Sequence, residues 1–490
     1  MPERLNYLLS GSLALVVSLL FQPPSLSAQV PVAGDGPWSL QRCIDVALER
    51  SPDIKDADLA IRGAEASRKS TRGQFLPSLD LEGNVMVWDD DLVLSFGSAG
   101  GGGGAVALPP PNPADPYQMA LAGLLSGFSK PTKLRKQVTW GTTVSISQPL
   151  TPILTIYQVY KLKELGVSIA RIKKKMRIRD LKLAVTEQFI QILKIQGGLK
   201  TLAEARNQLM TLRDQAQALF EAEVIGKNDL LRIEVALAQL DQQRIQLEAA
   251  LHISKAAFGV TLGLGEESLS DLIRPEAPNA AGDFGPLGVE KNRATASRIE
   301  LKELDLHIKQ AERGKNIAQA QFVPTVGVSG AWDHSEGSTM SNDNTVYVGA
   351  FLKWNLWSWG KDLYAIDEAE AGLRRARVGR DKVRDFIFLD VTAAFYQHRA
   401  TRQAIGAAQK TLEYAQENYE LVRRRFEAQT VTGTDLIEAH AQLVRAETEL
   451  DAARFDFMVA IARLNKATGR TVTHGFTNQA KLQEGSLEDR

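Results

Sequence analysis

GTDLIEAHAQLVRAETELDAARFDFMVAIARL, residues 433–464, carries apolar side chains at a strict three–four spacing: Leu436, Ala439, Leu443, Ala446, Leu450, Ala453, Phe457, Ala460 and Leu464. Spacing of this kind, sustained along a helix, predicts left-handed coiled-coil packing against an antiparallel neighbour. Alanine at alternate positions of the stripe allows close approach, which favours a sheet-like helical wall over a thick bundle. The stripe is core, not a cofactor box.

Upstream, Leu412, Ala415, Tyr419, Val422 and Phe426 form the outgoing arm of the same hairpin, and no proline occurs from Lys361 to Phe426. A second hairpin precedes it. Its returning arm runs Leu230, Ile233, Leu237, Leu240, Arg244, Leu247, Leu251, Ser254, Phe258, and its outgoing arm is free of proline from Thr155 to Phe220. At about 1.5 Å per residue each outgoing helix spans roughly 100 Å, a depth no compact soluble domain has.

The two hairpins belong to a duplication. QFLPSLDLEG (74–83) falls on QFVPTVGVSG (321–330) and DIKDADLAI (53–61) on ELKELDLHI (300–308), both at an offset of 321 − 74 = 247. LAVTEQFIQ (183–191) falls on LDVTAAFYQ (389–397), FEAEVIGKNDL (220–230) on FEAQTVTGTDL (426–436), and Gly263 on Gly469, at an offset of 426 − 220 = 206. The difference, 247 − 206 = 41, is extra sequence between the two strands of the first copy. The expected units are a first repeat at 29–263, a linker at 264–290, a second repeat at 291–469 and a tail at 470–490, each repeat reading helix, strand, strand, helix, helix.

Each Pro77 and Pro324 corner opens a strand of period two, because proline disfavours helix in the residue before it. Strands are expected at about 76–90, 138–150, 323–334 and 344–357. Val138, Trp140, Val144, Ile146 and Leu150 share one face of the second, with Thr139, Gly141, Thr143, Ser145 and Ser147 on the other. Val346, Val348, Ala350, Leu352, Trp354 and Leu356 share a face of the fourth, and Asp80, Glu82 and Asn84 oppose the apolar face of the first. Strands of about ten residues with aromatic ends fit a transmembrane barrel; taken alone they also fit a soluble sandwich.

Charge is balanced at 58 basic and 58 acidic residues, so no global field points to nucleic acid. A charged fraction of 24% with 44% apolar residues excludes a disordered chain and a helical membrane bundle. MPERLNYLLSGSLALVVSLLFQPPSLSA (1–28) reads as a secretory signal peptide, and no later run reaches about 18 apolar residues. Cys43 is the sole cysteine, so no intrachain disulfide forms; it reads as a small, half-buried helix residue. His252, His307, His334, His398, His440 and His474 are dispersed without metal spacing, and His440 reads as solvated. No nucleophile elbow or phosphate loop is present, so neither an enzyme nor a cofactor is expected.

The chain resembles the TolC-like outer-membrane efflux family. The resemblance rests on the Ala-rich helix after Ser51–Ile54, the duplicated helix–proline–strand corner, strand ends QPL (148–150) and WNL (354–356), WSWGKDLYAIDEAEAGLRRA, the turns VIGKND and VTGTDL, and LNKATG (464–469). It implies an α+β membrane protein: a homotrimer whose 12-stranded β-barrel continues into a long periplasmic α-helical coiled-coil barrel. Four strands cannot close a barrel, and an open edge is forbidden in lipid, so sharing between subunits also follows from physics. The implied function is passive export across the periplasm and outer membrane of a Gram-negative bacterium. An inner-membrane pump and a periplasmic adaptor (membrane fusion) protein would be its partners. A periplasm-spanning structural coiled coil or adhesin without a channel is the alternative.

The helix tips, expected at about 223–229 and 429–435, hold the candidate sites. Gly226 and Gly433 mark the turns, and Asn228–Asp229 and Thr434–Asp435 are expected to cap the returning helices. The family's acidic gate falls, residue by residue, on Asp435 and Glu438; for Asp435, ring and cap are both open readings. Adaptor contact falls on Val224, Ile225, Gly226, Lys227 and Asn228, and on Thr430, Val431, Thr432, Gly433 and Thr434. Phe426 and Val431 occupy the positions of a polar latch known in some members and cannot form it. Residues 91–137 are expected to be an extracellular loop, whose basic cluster Lys130, Lys133, Arg135 and Lys136 either meets lipopolysaccharide phosphates or is simply solvated.

Overall fold

The computed structural model describes residues 38–94, 112–121, 132–265, 272–275, 284–338 and 343–476. The expected signal peptide, most of the 91–137 loop including Lys130, parts of the linker and the end of the tail lie outside the described residues. In chain order the elements are α1 (Leu40–Arg50), α2 (Pro52–Gly73), β1 (Ser78–Val87), β2 (Leu92–Leu94), β3 (Thr132–Pro149), α3 (Pro152–Glu221) and α4 (Lys227–Leu262). There follow α5 (Leu287–Ser297), α6 (Ile299–Ala320), β4 (Thr325–Ser338), β5 (Asn344–Lys353), α7 (Lys361–Glu427) and α8 (Gly433–Thr468).

The elements keep the offsets of the sequence, since 287 − 40 and 299 − 52 both give 247 and 433 − 227 gives 206. Corner geometry repeats too. The amides of Phe75 and Leu76 bond the carbonyls of Arg72 and Gly73, and those of Phe322 and Val323 bond Gln319 and Ala320. Each helix therefore ends in a tight turn before its proline is reached. At the far end, Gly263 (φ 74°) and Gly469 (φ 78°) close α4 and α8 in the left-handed region, where a side chain is strained. Each glycine lies against the end of its repeat's first helix, Arg50 in one case and Ser297 in the other, leaving no room for a Cβ.

The strands form one antiparallel sheet in the order β1-β3-β4-β5, with β2 continuing the β1 side of β3. Leu81, Val144, Trp332 and Val346 stand in one row across it, and Leu79, Ile146, Gly330 and Val348 in the next. This face is bare: Leu81 is 75% exposed and Val348 85%. The opposite face carries Ser78, Ser147 and Ser329, then Asp80 and Ser145, then Glu82, Thr143 and Asp333. Among the described residues, β1 and β5 have no partner on their outer edges.

Strand limits differ from the expected ones for a common reason, the availability of a ladder partner. β3 begins at Thr132, inside the expected loop, because Leu92–Leu94 resumes the β1 edge and pairs with Thr132–Arg135. Asp91 pins this extension by accepting from Lys133 Nζ (2.7 Å) and from the Gln137 amide (2.6 Å). β5 stops at Lys353, not at 357, because its last partner is Thr325, the first strand residue after Pro324. Trp354, Trp357 and Trp359 beyond it are exposed and irregular.

α3 (70 residues) and α7 (67 residues) are about 105 and 100 Å long. Towards the sheet α2, α3, α6 and α7 lie side by side; towards the tips the order is α4, α3, α8, α7. The helices form a wall one layer thick, with α7 along one edge and α2 then α4 along the other. The main apolar core sits where α1 packs on this wall, around Phe189, Phe258 and Phe455. Cys43 is fully buried there, not half-buried, and burial pushes its thiol up to about 12. Arg298 ties three helices together. It donates to Asp390 of α7 (2.9 Å) and to the α8 carbonyls of Lys466 and Ala467 (both 3.2 Å), and pairs with Glu300 of α6 at 3.0 Å.

Candidate functional site

The tips are built by one backbone device used twice. Glu223 and Gln429 adopt φ of 60° and 57°. Val224 N donates to Leu219 O (2.8 Å) and Glu223 N to Phe220 O (2.9 Å); Thr430 N to Arg425 O and Gln429 N to Phe426 O repeat this at 2.9 Å each. This is the double-bonded helix stop that usually carries glycine at its left-handed residue. Here glutamate and glutamine hold it, at a cost of about 1 kcal/mol each. Gly226 and Gly433, expected in these turns, do other work. Gly226 is extended (φ −77°, ψ 151°) as the N-cap of α4, and Gly433 is the first residue of α8.

Capping also differs from the expected assignment. Asn228, Asp229 and Thr434 do not cap, because the N-cap positions are Gly226 and Thr432, and Gly226 has no side chain to offer. Thr432 forms a capping box with Asp435, whose Oδ2 accepts from Thr432 N (2.9 Å) and Thr432 Oγ1 (2.7 Å). These two bonds, side chain first, hold the Asp435 carboxyl below its usual range. Glu438, one turn on, is exposed and lines a groove between α4 and α8 with Leu231, Arg232, Val235 and Ile437.

The two tips touch. Gly433 packs on the Asp229 side chain, so closely that a Cβ there would lie 3.2 Å from the Asp229 Cβ. Arg232 Nη1 donates to Thr434 Oγ1 at 2.7 Å. Phe426 and Val431 instead enter an apolar cluster with Leu209, Leu212, Ala216, Ile233 and Leu436. A polar tie between α4 and α8 therefore exists, supplied by Arg232. The only sequence signal for it is an arginine one turn beyond Asn228. Of the other turn residues, Val224, Lys227, Asn228, Thr430, Thr432 and Thr434 are exposed, Ile225 and Val431 half-buried and Gly433 buried.

His440 is not solvated. It is 2% exposed, its Nε2 lies 3.1 Å from Gln208 Oε1, and the Tyr419 ring stands edge-on at 5.5 Å. The stripe spacing of α8 leaves position 440 beside Ala439 on the side turned to α3, where burial pushes the imidazole down to about 4. Of the basic loop cluster, Lys133 is ion-paired to Asp91 and Arg135 stacks on Trp88 at 3.6 Å. Among the described residues no group of His, Cys, Asp or Glu is placed to hold a metal ion, and no helix is long and apolar enough to cross a membrane.

Residues 292–470 match the protein family described as outer membrane efflux protein. The alkaline protease secretion protein AprF of Pseudomonas aeruginosa is 25% identical to this chain over 348 residues, which cover 67% of this chain and 69% of AprF. The outer membrane protein TolC of Vibrio cholerae is 22% identical over 325 residues, 62% of this chain and 73% of its own length. In fold, the chain is similar to the outer membrane protein VceC of Vibrio cholerae, with a TM-score of 0.67 over 88% of this chain and 96% of VceC at 13% identity.

Proposed function

We propose, from the premise that this chain belongs to the TolC-like outer-membrane efflux family, that it forms a homotrimeric duct exporting substrates through the periplasm and outer membrane. One observation carries this reading. A four-stranded sheet with a bare apolar face also has two open edges, β1 and β5, and stands at the end of a helical wall about 100 Å deep. The apolar face is suited to lipid and the polar face to water, but no sheet edge survives in hydrocarbon unpaired. Since β1 and β5 run antiparallel, β5 of one copy extends the sheet through β1 of the next, and a head-to-tail contact of this kind closes into a ring. Three copies give twelve strands, and their helical walls a coiled-coil barrel below.

The wall has matching edges for the same contact. α7 exposes Leu389, Tyr396, Tyr414 and Leu421, and α4 exposes Val235, Ile245, Ile253 and Val260. Trp354, Trp357 and Trp359 sit where an aromatic belt would meet the periplasmic leaflet. In this reading the tips receive the adaptor through the turns around Val224–Asn228 and Thr430–Thr434, and the pump loads the duct from below. Glu438, with its carboxylate uncommitted to a cap, is a better gate residue than Asp435.

Outer-membrane fractions should contain a heat-modifiable trimer that gives stepwise ion conductance in planar lipid bilayers. A stable trimer that never conducts would instead establish the structural, periplasm-spanning alternative.

A further inference from the structure

The duplication repeats strand register as well as strand order. β1 corresponds to β4 at the offset of 247, and the C-terminal part of β3 to β5 at 206. Ser78 pairs with Ser147; adding the two offsets gives Thr325 and Lys353, which pair in turn. Val87 with Val138 becomes His334 with Asn344 in the same way. Every pair of the β1–β3 ladder recurs in the β4–β5 ladder, so the two shifts carry register without error.

The β3–β4 ladder joins the two repeats, and among the described residues no second ladder reproduces it. Its counterpart is the seam from β5 of one copy to β1 of the next. Moving β3 forward by 206 and β4 back by 247 turns Val144 with Trp332 into Ala350 opposite Val85, and Ile146 with Gly330 into Leu352 opposite Gly83. Ser147 with Ser329 becomes Lys353 opposite Glu82. Faces agree too: Ala350 and Val85 stand on the apolar face, Lys353 and Glu82 on the polar one, and a slip of one residue would set the two faces against each other. Where the internal seam has two serines, the outer one thus brings together opposite charges on exposed side chains. Asp80, diagonal to Lys353 on the same face, adds a second carboxylate within reach. Pairing β1 with β1 would instead set like charges side by side, which favours the head-to-tail contact. The internal seam is also tied by Thr151, whose Oγ1 donates to Pro324 O (2.6 Å) and accepts from Val326 N (2.8 Å). Trp357 stands at the equivalent position and has no hydroxyl, so the outer seam needs another polar tie.

We propose that β5 of one copy pairs with β1 of the next in this register, and that Lys353 of each copy forms an ion pair with Glu82 of its neighbour. The pair supplies the tie that Thr151 supplies inside the chain, and it selects the β5–β1 contact over the alternatives. β3 reaches Pro149 by pairing with Gly327, so β5 extends by the same two residues, to Asn355, when Asp80 of the next copy arrives. The seam rests on the reading that the chain forms a homotrimeric duct.

Disulfide trapping in outer membranes tests the register. Within one chain β1 and β5 are three strand spacings apart, about 14 Å, so a disulfide between them has to join two copies. Oxidation of Ala350→Cys/Val85→Cys should give covalent dimers and trimers on boiled denaturing gels. Ala350→Cys/Leu81→Cys, displaced by four residues or about 13 Å, should give none. The parent, whose Cys43 is fully buried, is the control. Bonding through Leu81→Cys instead, or through neither pair in a trimer that still conducts ions, overturns the register and leaves the duct standing. A parent that forms no trimer overturns both. If the cysteine variants do not assemble, charge exchange carries the same test. Lys353→Glu and Glu82→Lys should each lower the temperature at which the trimer dissociates by about 5 °C, and the two together should regain most of that loss. Single variants as stable as the parent, or a double variant no better than the singles, overturn the ion pair.

Discussion

α4 and α8 are helices of equal length, 36 residues, and their sequences correspond at a single offset, yet they are buried very differently. α8 hides Leu436, Ala439, Leu443, Ala446, Leu450, Phe457, Ala460 and Leu464. In α4 the matching stripe is fully covered only at Leu230, Ile233 and Phe258, while Leu237, Leu240, Leu247 and Leu251 are half-covered. The cause is position. α8 lies between α3 and α7, whereas α4 has α3 along one side and, among the described residues, is otherwise met only by α8 near the tip and by the end of α1 around Phe258–Gly263. Periodicity dictates which residues form a stripe; topology decides how many neighbours that stripe finds. Val235, Ile245, Ile253 and Val260, left bare on α4, form the edge at which the wall would continue into another copy in the proposed assembly.

The strongest way to break this comparison is to truncate the same leucine in both helices. Leu443 is enclosed by two helices, so Leu443→Ala should cost about 3 kcal/mol through lost burial and a residual cavity. Its counterpart Leu237 can lose solvent-facing surface without leaving a cavity, and Leu237→Ala should cost about 1 kcal/mol. Denaturant unfolding of the detergent-solubilised monomer, in which no second copy covers α4, followed by far-ultraviolet circular dichroism, reads both. Equal losses would mean that α4 is as enclosed as α8.

The next effect separates the two helices by pH. Position 440 of α8 corresponds to position 234 of α4, a buried histidine against an exposed glutamate. In the unfolded chain His440 binds its proton near 6.5; in the fold it does so only near 4. The unfolded state therefore holds more protons between those values, and stability rises with pH across the window. The contribution is complete above pH 6.5 and falls by about 1.4 kcal/mol per unit below it, reaching about 2 kcal/mol of loss at pH 5. His440→Gln should remove this slope from the pH dependence of the unfolding midpoint, while Glu234→Gln should leave it in place. A slope that survives His440→Gln would mean the imidazole is already charged in the fold.

These contrasts mark what was legible in the sequence. The α8 stripe, the alternating strand faces and the matched glycines at 263 and 469 follow from spacing and from backbone geometry, which are local properties. The burial of His440 was not legible, because it depends on how α3 crosses α8. The left-handed residues Glu223 and Gln429 were missed for a different reason. Glycine is the usual occupant of that position, and the nearby Gly226 and Gly433 drew the assignment. β3 runs past its expected start because its partner, Leu92–Leu94, lies beyond an interruption that strand periodicity does not bridge. At the tips, the acidic pair and the cap as one reading of Asp435 were legible, but not that the N-cap residue sharing that cap is Thr432.

That cap gives the smallest contrast. Thr432 caps α8, while Gly226 at the matching position of α4 contributes no side chain. Thr432→Ala should destabilise the first turn of α8 by about 1 kcal/mol, seen as roughly fivefold faster amide hydrogen exchange there. Gly226→Ser should slow exchange at the start of α4 by no more than a few tenths of a kcal/mol. Asp435 shares the Thr432 bonds, so adding Asp435→Asn to Thr432→Ala should cost little more than Thr432→Ala alone. The pH response follows from the same bonds. Because they hold the carboxyl low, the cap is complete above the ordinary carboxylate range and weakens as pH falls through the lowered value. If the double variant loosens the turn far beyond the single one, Asp435 has a second partner, and the place to look is the neighbouring copy, where a ring of tips would bring it face to face with its own equivalents.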